Sequence, residues 1–481
     1  MKETEKKHGV RTAAAVLGSL LAPQLPGCAE GGVTETSLQP PTLVAHWPTR
    51  VDPTGRHFQS SDGRAFFWLG DTAWLLAQAS TREDADLFLE TRADQGFSVI
   101  QMAAVNAERR AFAGVLVPNA YGDSAFIAGD PARPRTTPGA DPDDPAEYDY
   151  WDHLDYLVDK AEAEGLVAAM FPMFVGYQNN GFESLTTANA YQYGAFLGER
   201  YGRRPNVLWV LCGDNNPETA EKRTIWNLMA KGITEGVAGS EDYSRTLMTC
   251  HVQNRHSSAM WFHNAPWLDF NMRQVWATFE FIHPDLMLDY ARTPAKPTGL
   301  GEGSYEHGVR YSTHNGGFEI HAPAIRKQAY WSYLSGGYHT YGNTNTWNLG
   351  VWTPGVTEPW KQALFSEGAT HLTVLRDFFD SFDWWKLVPD PTTFVSGEGG
   401  RYRRNVAARS SDGDRIVFYL TSDRNVVLDL TRITASDTVE ATWVSPVTGE
   451  RTVIGRYPNE GSRTFTPPTG WEDALLMLEA A

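Results

Sequence analysis

The sequence predicts a (β/α)8 barrel followed by a small antiparallel β-sandwich, and three observations support this fold class. Apolar strand-like runs alternate with helical patterns about eight times between residues 51 and 384. The run 206–211 is apolar after its first residue and uninterrupted, which is typical of a strand buried on both faces. Beyond residue 384 the pattern changes to short alternating runs separated by turns.

The chain divides into four predicted segments: 1–28, 29–50, 51–384 and 385–481. The first has basic residues before a short apolar run, 12–21, which is too short to span a bilayer and predicts an export signal. Residues 25–28 (LPGC) resemble a bacterial lipoprotein processing box, in which Cys28 would be acylated and would attach the protein to a membrane. The second segment is a linker. We therefore expect an exported protein that is periplasmic, held at the cell surface or secreted.

Composition and charge exclude some classes of protein. The 481 residues are 42% hydrophobic and 12% aromatic, enough for a large core and against general disorder. The net charge of −17, with no basic stripe, argues against a nucleic-acid partner. The 17 tryptophans fit core packing, and they also fit a sugar-binding cleft, where aromatic faces pack on the apolar face of a sugar ring. Nothing in the composition indicates an oligomeric state.

The first half of the barrel begins with a hairpin around residues 61–63, whose second strand ends at Asp71. A helix over 81–95 follows, with Thr81 as its N-cap and acids in its first turn. Next come a strand over 97–105, a Pro/Asp/Gly-rich insertion over 109–147, a helix over 148–164 and a strand over 165–174.

The second half continues the alternation up to residue 379. The predicted elements are a helix over 188–201, the strand ending at Asp214, a helix over 219–235, strands over 245–252 and 271–279, a helix over 284–292, the Glu302 strand, a helix over 318–334, a strand over 337–341 and a helix over 358–379. By this count Asp214 follows the fourth barrel strand and Glu302 ends the seventh. A doubly wound sheet is the rival fold, but no Gly-x-Gly-x-x-Gly follows the first strand.

Asp214 and Glu302 are the candidate catalytic residues. Strands four and seven lie roughly opposite each other across a barrel mouth, so the two acids can flank one glycosidic bond. One acid would protonate the leaving oxygen, while the other would attack the anomeric carbon or activate water. Taken singly, Asp214 is also a good N-cap for the next helix and Glu302 could be a salt-bridged acid at the rim.

The other candidates are polar and aromatic residues that lie at or beyond predicted strand ends. Each could contact substrate, and each could instead be a structural group: Asp71, Trp74, Asn106, Asn215, His251, Trp276, Tyr305, Tyr341, Asn343 and Trp347. The scattered histidines form no metal-binding motif, so we expect no metal and no other cofactor. Cys212 and Cys250 lie in apolar strand-like runs, which favours two buried free thiols over a disulfide.

Four stretches resemble the apiosidase-like glycoside hydrolases: 67–74 (FWLGDTAW), 205–216 (PNVLWVLCGDNN), 301–306 (GEGSYE) and 329–342 (AYWSYLSGGYHTYG). The resemblance covers roughly residues 50–385, and the tail resembles the small domain, sometimes labelled collagen-binding, that accompanies this barrel. It implies that Asp214 is the general acid/base and Glu302 the nucleophile. Gly213-Asp214 replaces the Asn-Glu pair that is usual in the wider clan of retaining barrel enzymes.

The resemblance implies a retaining, exo-acting glycosidase of plant cell-wall, pectic polysaccharide side chains, with an oligo- or polysaccharide as substrate. The rival interpretation is a non-catalytic carbohydrate- or matrix-binding surface protein that has kept the barrel, and such a protein would not require both acids. A protease is the third, but the sequence has neither a zinc motif nor a Gly-x-Ser-x-Gly elbow. We expect the C-terminal domain to pack on the barrel and not to bind glycan.

Overall fold

A computed structural model of the chain describes residues 46–107, 118–176, 182–308, 319–351 and 356–481. The predicted signal segment, Cys28 and most of the predicted linker lie outside these residues. Val44–Ala481 forms one compact unit. It begins with a small antiparallel sheet of β1 (Pro48–Val51), β2 (Phe58–Ser60) and β3 (Ala65–Phe66).

Eight parallel strands form a nearly closed barrel, which confirms the predicted fold class. They are β4 (Leu69–Thr72), β5 (Val99–Ala103), β6 (Val167–Phe171), β7 (Val207–Leu211), β8 (Met248–Cys250), β9 (Asn271–Gln274), β10 (Thr298–Glu302) and β11 (Gly337–Tyr341). Their order in the sheet is β8-β7-β6-β5-β4-β11-β10-β9, with the first strand paired to the last through Asp71 and Tyr341. Asp214 therefore follows the fourth strand and Glu302 ends the seventh, as predicted.

Helices surround the barrel in the described part of the chain. They are α1 (Leu76–Ala79), α2 (Arg82–Asp94), α3 (Tyr150–Ala163), α4 (Ala190–Tyr201), α5 (Ala220–Ala238), α6 (Ala259–Phe262), α7 (Ile282–Tyr290), α8 (Ala322–Leu334), α9 (Trp360–Ala363) and α10 (Glu367–Asp380). The predicted cap of α2 is present, because the Thr81 hydroxyl accepts the backbone N–H of Asp84 at 3.3 Å.

The strands bury both faces because they separate two apolar layers. Alternate residues, such as Val99 and Leu208, point into the barrel, whereas Ile100 and Trp209 point out towards the helices. At the amino-terminal ends of the strands, Phe58 of the first small sheet packs edge-on against Phe270 with a centroid distance of 4.9 Å. This end of the barrel is therefore filled with side chains, and the chemistry must lie at the other end.

The C-terminal domain consists of antiparallel sheets, also as predicted. Its strands are β12 (Leu387–Pro389), β13 (Phe394–Ser396), β14 (Val406–Ser410), β15 (Arg415–Leu420), β16 (Val426–Asp429), β17 (Thr438–Val444), β18 (Arg451–Pro458), β19 (Ser462–Phe465) and β20 (Ala474–Ala480). Six strands form one sheet, in the order β12-β14-β15-β20-β17-β18, and β13-β16-β19 form the other. Ile416, Phe418 and Leu476 belong to the core of this domain.

This domain packs tightly on the barrel. Arg326 of α8 and Asp473, just before β20, are both buried and joined by two hydrogen bonds of 2.9 and 2.8 Å. The ring of Tyr330 stacks on that of Tyr419 at a centroid distance of 4.7 Å, and Tyr419 donates to Asp473 at 2.6 Å. A bidentate pair accepts only one arrangement of its two groups, so this buried contact fixes α8 of the barrel against the start of β20.

Candidate active site

Glu302 points into the barrel because its strand is irregular just before it. In β10, Leu300 pairs with Arg273 but Glu302 pairs with the next residue, Gln274, so Gly301 is an extra residue, a β-bulge. Leu300 faces the outer layer, and without the bulge Glu302 would do the same. The bulge turns the Glu302 carboxylate to the inside.

Two neighbouring features allow the bulge. The Gln101 side chain, from β5, donates to the Gly301 carbonyl at 2.7 Å across the barrel. A Cβ on Gly301 would lie 2.3 Å from the Met272 side chain, so only glycine fits without displacing it. Gln101 and Gly301 therefore help to place Glu302 by shaping the backbone just before it.

Gln274 joins the two acids. Its side-chain nitrogen donates to Asp214 Oδ1 at 3.2 Å and to Glu302 Oε2 at 2.7 Å. The amide must present nitrogen and not oxygen to this pair, because a carbonyl oxygen would repel an ionised carboxylate. The two bonds limit the distance between Asp214 Oδ1 and Glu302 Oε2 to less than about 6 Å, the sum of the two hydrogen-bond lengths.

His251 lies at the end of β8 and contacts both acids. Its Nδ1 accepts the backbone N–H of Asp214 at 3.2 Å, and its Nε2 lies 3.1 Å from Glu302 Oε2. A backbone N–H can only donate, so Nδ1 carries no proton and the neutral ring holds its proton on Nε2, facing Glu302. His251 is fully buried, which keeps the ring in this orientation.

Tyr305 and Trp74 form the wall behind Glu302. The Trp74 indole donates to the Tyr305 hydroxyl at 2.6 Å, and that hydroxyl in turn hydrogen-bonds Glu302. Burial, followed by the negative charge of Glu302, raises the pKa of Tyr305 well above its ordinary value. Tyr305 therefore stays protonated and acts as a donor. The Trp74 ring also meets His251 edge-on at 5.5 Å.

Asp214 is not the cap of the helix that follows it. Thr219 is the N-cap of α5, and its hydroxyl accepts the Lys222 N–H at 3.2 Å. Asp214 itself is partly exposed and has a left-handed backbone with φ +59°. That conformation is uncommon for a residue with a side chain and is often found at functional sites.

The prediction of two free thiols at Cys212 and Cys250 is wrong. The two residues form a disulfide between the end of β7 and the end of β8, with a Cα–Cα distance of 5.3 Å. Parallel neighbouring strands end side by side, which brings together two cysteines 38 positions apart in sequence. An apolar sequence context indicates burial, but burial alone does not distinguish a thiol from a disulfide.

Three predicted contact residues lie in a second cluster, away from the acid pair. Asp71 faces the outer layer and is bonded to Arg92 of α2 at 2.6 Å, with both side chains fully buried. Tyr341 donates to Glu306 at 2.6 Å, and Asn343 donates to Tyr341 at 3.0 Å. The pairing of Asp71 with a buried arginine indicates a structural role, as does the bonding of Tyr341.

Glu306 differs from Glu302 although the two share one motif. Its Oε1 accepts the backbone N–H of Gly368 at 2.8 Å, in the first turn of α10, while its other oxygen takes the Tyr341 hydroxyl. A carboxylate at a helix N-terminus is stabilised by the helix dipole. Glu306 is thus held at the N-terminus of α10, whereas Glu302 shares the donor Gln274 with Asp214.

The remaining candidates lie at the strand ends. Asn106 is buried and its backbone N–H donates to the Gln78 side chain at 2.6 Å. Asn215 is buried next to Asp214. The strand predicted to carry Trp276 ends earlier, at Gln274, so Trp276 lies in the following loop, half-buried, where its carbonyl accepts the Ser304 hydroxyl. Trp347 is half-buried, and its carbonyl accepts the Leu75 N–H at 3.3 Å.

Sequence reasoning missed Gln274 and Gln101. Both are polar residues inside buried strands, and that is the signal that could have identified them, because a buried amide needs partners. A cavity of about 1060 Å³ lies outside the barrel, along α5 and α6, and neither Asp214 nor Glu302 lines it. Among the described residues, no group of three or more His, Cys, Asp or Glu could hold a metal ion, and no helix could cross a membrane.

A (β/α)8 barrel that brings two acids together at the carboxyl ends of its strands has the groups that glycoside hydrolysis requires. Comparison with solved structures agrees. A chain described as "Glycoside hydrolase" is 27% identical with a TM-score of 0.77, covering 90% of this chain and 97% of its own. A glycoside hydrolase family 5 structure from Bacteroides vulgatus ATCC 8482 is 26% identical, with a TM-score of 0.77 and coverage of 90% and 93%.

The family model "Apiosidase-like, catalytic domain" matches residues 52–386, so the chain belongs to the apiosidase-like family. The model "Putative collagen-binding domain of a collagenase" matches residues 388–479. No curated protein matches the chain. The protein is therefore a glycosidase, and its substrate is a carbohydrate.

Proposed function

We propose that this protein is an exported, retaining and exo-acting glycosidase that removes sugars from side chains of plant pectic polysaccharide, with apiosidic linkages as the first candidate. Asp214 is the general acid/base and Glu302 the nucleophile. The single observation that carries the pairing of these acids is the Gln274 side-chain nitrogen, which donates to both carboxylates, while the division of roles between them follows the family resemblance. Two carboxylates that share one donor lie close together, which favours double displacement over inversion, because an inverting enzyme keeps its carboxyl groups further apart to admit a water.

In the first step, a Glu302 oxygen bonds to the anomeric carbon while the bond to the leaving oxygen breaks. Asp214 gives its proton to that oxygen, so the leaving group departs as a neutral alcohol. Gln274 and Tyr305 hydrogen-bond Glu302, and His251 Nε2 lies 3.1 Å from it, so these three side chains fix the orientation of the attacking carboxylate. In the second step Asp214 takes a proton from water, and the resulting hydroxide displaces Glu302 from the sugar.

Two observations support the location and the substrate class. A disulfide between Cys212 and Cys250 fits an oxidising compartment outside the cytosol, in keeping with the predicted export signal. The pectic, apiosidic substrate rests on the family to which the chain belongs. Acylation of Cys28, and with it membrane attachment, rests on the resemblance of residues 25–28 to a lipoprotein box.

The test is sugar release from a panel of pectic polysaccharides by the wild type, Asp214→Ala and Glu302→Ala. We expect the wild type to release one monosaccharide, and each variant to lose about 10³-fold or more in kcat/KM. NMR of the first anomer that forms reports retention directly. On an activated aryl glycoside, whose leaving group needs no protonation, added azide should restore activity to Asp214→Ala and give a glycosyl azide with the configuration of the substrate.

Three outcomes would contradict parts of the proposal. Folded variants that keep activity would exclude this acid pair. An inverted first product would exclude Glu302 as a nucleophile. A wild type that binds a pectic glycan but releases nothing from any of the panel would favour the binding protein over the enzyme for this substrate class.

A further inference from the structure

The backbone that presents Asp214 is unusual over three consecutive residues. Cys212, Gly213 and Asp214 have φ values of +76°, +56° and +59°, so the chain leaves β7 in a left-handed conformation. The Gly213 N–H donates back to the Leu211 carbonyl at 3.0 Å, which makes Cys212 the centre of a three-residue γ-turn. A γ-turn with a positive central φ is rare and strained, and a residue with a side chain adopts it at a cost in free energy.

Strain of this kind persists only where the surroundings enforce it. On one side Gly213 is pressed against the segment that follows β6, since a Cβ there would lie 2.5 Å from the Phe174 Cα, and its carbonyl accepts the Gly176 N–H at 2.9 Å. At the centre of the turn the constraint is covalent. The side chain of Cys212 is bonded to Cys250, and both residues are fully buried.

The disulfide lies next to both groups that the mechanism needs from this side of the barrel. Asp214 is two residues after Cys212, and His251 directly follows Cys250. The Leu211 carbonyl accepts the His251 N–H at 2.8 Å, and His251 Nδ1 accepts the Asp214 N–H at 3.2 Å. The disulfide thus closes a small ring of contacts that fixes the Asp214 carboxylate relative to the His251 imidazole.

We propose that the Cys212–Cys250 disulfide is a positioning element of the active site: it holds the left-handed turn that presents Asp214 as proton donor and sets the orientation of His251. This inference rests on the proposed role of Asp214. The proposed role differs from that of a purely stabilising cross-link. Without the bond, we expect the γ-turn centred on Cys212 to relax while the barrel keeps its fold.

Two variants separate these roles. In Cys212→Ala with Cys250→Ala, the bond is lost and an alanine must adopt φ +76° unaided. In Cys212→Gly with Cys250→Ala, the bond is equally absent, but glycine adopts the same φ at little cost. We expect the alanine variant to lose about tenfold or more in kcat, with KM changed less, and the glycine variant to recover most of that loss.

A comparison of two substrates of the same sugar identifies the step affected. A glycoside with a poor leaving group needs protonation by Asp214, whereas an activated aryl glycoside does not. The alanine variant should therefore lose much more on the first substrate than on the second. Equal losses on the two substrates would overturn the proposal, because a merely structural cross-link would affect both substrates alike. Equal losses in the alanine and glycine variants would also overturn it, because both variants lack the bond.

Two further measurements do not depend on activity. Peptide mapping of alkylated, unreduced wild type should find Cys212 linked to Cys250, and free alkylated thiols would overturn the inference. In wild-type protein with ¹⁵N-labelled histidine, the NMR signal that is missing from His251→Asn belongs to His251. Its chemical shift should report a proton on Nε2. This signal should shift in the alanine variant and return in the glycine variant. A wild type without glycosidase activity would reject the proposed function, while these measurements would still decide the inference.

Discussion

At the scale of single residues, the main finding is that one amide serves two acids. Gln274 reaches Asp214 and Glu302 from β9, a strand that lies between those that carry the acids in the order of the chain. A neutral donor is suited to this position. A lysine or arginine would hold Asp214 as an anion, and Asp214 must carry a proton to act as the acid.

Replacing Gln274 by methionine keeps the length of the side chain and removes the donor. Hydrogen bonds to charged groups contribute about 1.5–3 kcal/mol, so we expect kcat/KM to fall about 10–100-fold. The fall should be mainly in kcat, since the two acids lose their relative placement. Steady-state kinetics on the substrate found for the wild type measure this.

The matched control is Gln362→Met, the same replacement at an exposed position on α9. It should leave both kinetic constants unchanged. If Gln274→Met has wild-type kcat/KM and its fold is intact, the bridging amide contributes nothing to catalysis and the carboxylates are held by their other partners.

At the scale of elements, one short motif serves two purposes. Residues 301–306 place Glu302 at the site by means of a β-bulge, and four positions later Glu306 accepts the first-turn N–H of Gly368 in α10. Gly368 itself is needed there, because a Cβ would lie 2.5 Å from Glu306 Oε2. The proposed nucleophile, Glu302, and the capping acid, Glu306, are therefore only four positions apart in the sequence.

Alanine substitution should separate the two acids. Glu306→Ala leaves a helix N–H and the Tyr341 hydroxyl without their acceptor, and we expect a loss of about 2–3 kcal/mol in the free energy of unfolding. The enzyme that remains folded should retain most of its activity. Glu302→Ala should abolish the activity of the folded protein, because it removes the proposed nucleophile.

Urea unfolding and kcat, measured on both variants, test this contrast. A stable but inactive Glu306→Ala protein would mean that the nucleophile has been assigned to the wrong glutamate. Glu306→Gln is a useful intermediate, because its carbonyl can still accept one of the two hydrogen bonds.

At the scale of the whole molecule, buried ionisable groups make stability depend on pH. Burial lowers the pKa of His339 to about 3, and burial aided by nearby arginine charge lowers those of His153 and His283 to about 4. Histidine in the unfolded chain has a pKa near about 6.5. Between these values the unfolded state binds more protons, so these three residues destabilise the fold as the pH falls.

Asp269 acts in the opposite direction. Burial raises its pKa to about 7, so the folded state holds a proton there that the unfolded chain lacks above about pH 4. Its contribution is present at low pH and is lost as the pH rises to 7. Among these four groups the three histidines outweigh Asp269, so we expect the free energy of unfolding to be lower at pH 5 than at pH 7.

Urea unfolding at a series of pH values between 7 and 4.5 measures this dependence. His339→Asn should make the dependence shallower, because it removes the histidine with the lowest pKa. A stability that is constant over this range, or that rises on acidification, would contradict the expectation.

Buried contacts also hold the C-terminal domain against the barrel. The pair of Arg326 and Asp473 is buried, and Val417 and Tyr419 of the C-terminal domain belong to the same apolar core as the barrel helices. This packing is what the sequence led us to expect of the domain. That the domain does not bind glycan stays a prediction.

Much of the site could be predicted because it follows from local patterns. The apolar run before Asp214 and the glycines around Glu302 indicate strand ends, and counting the alternation places them on strands four and seven. The partners of these acids could not be predicted in this way. Gln274 looks like any polar residue at the end of a strand, and Asp71, which follows the same pattern, turns out to pair with Arg92 on the outer side.

The sequence by itself determined the barrel, its second domain and the two acids, since hydrophobic periodicity and strand-end residues are properties of neighbouring positions. The tertiary structure decided which side of a strand each acid faces, which cysteines meet and which amide lies between the carboxylates. These depend on contacts between segments far apart in the chain and on one extra residue in a strand. A bulge at Gly301 reverses the direction of Glu302, the last residue of that strand, and no local pattern records it.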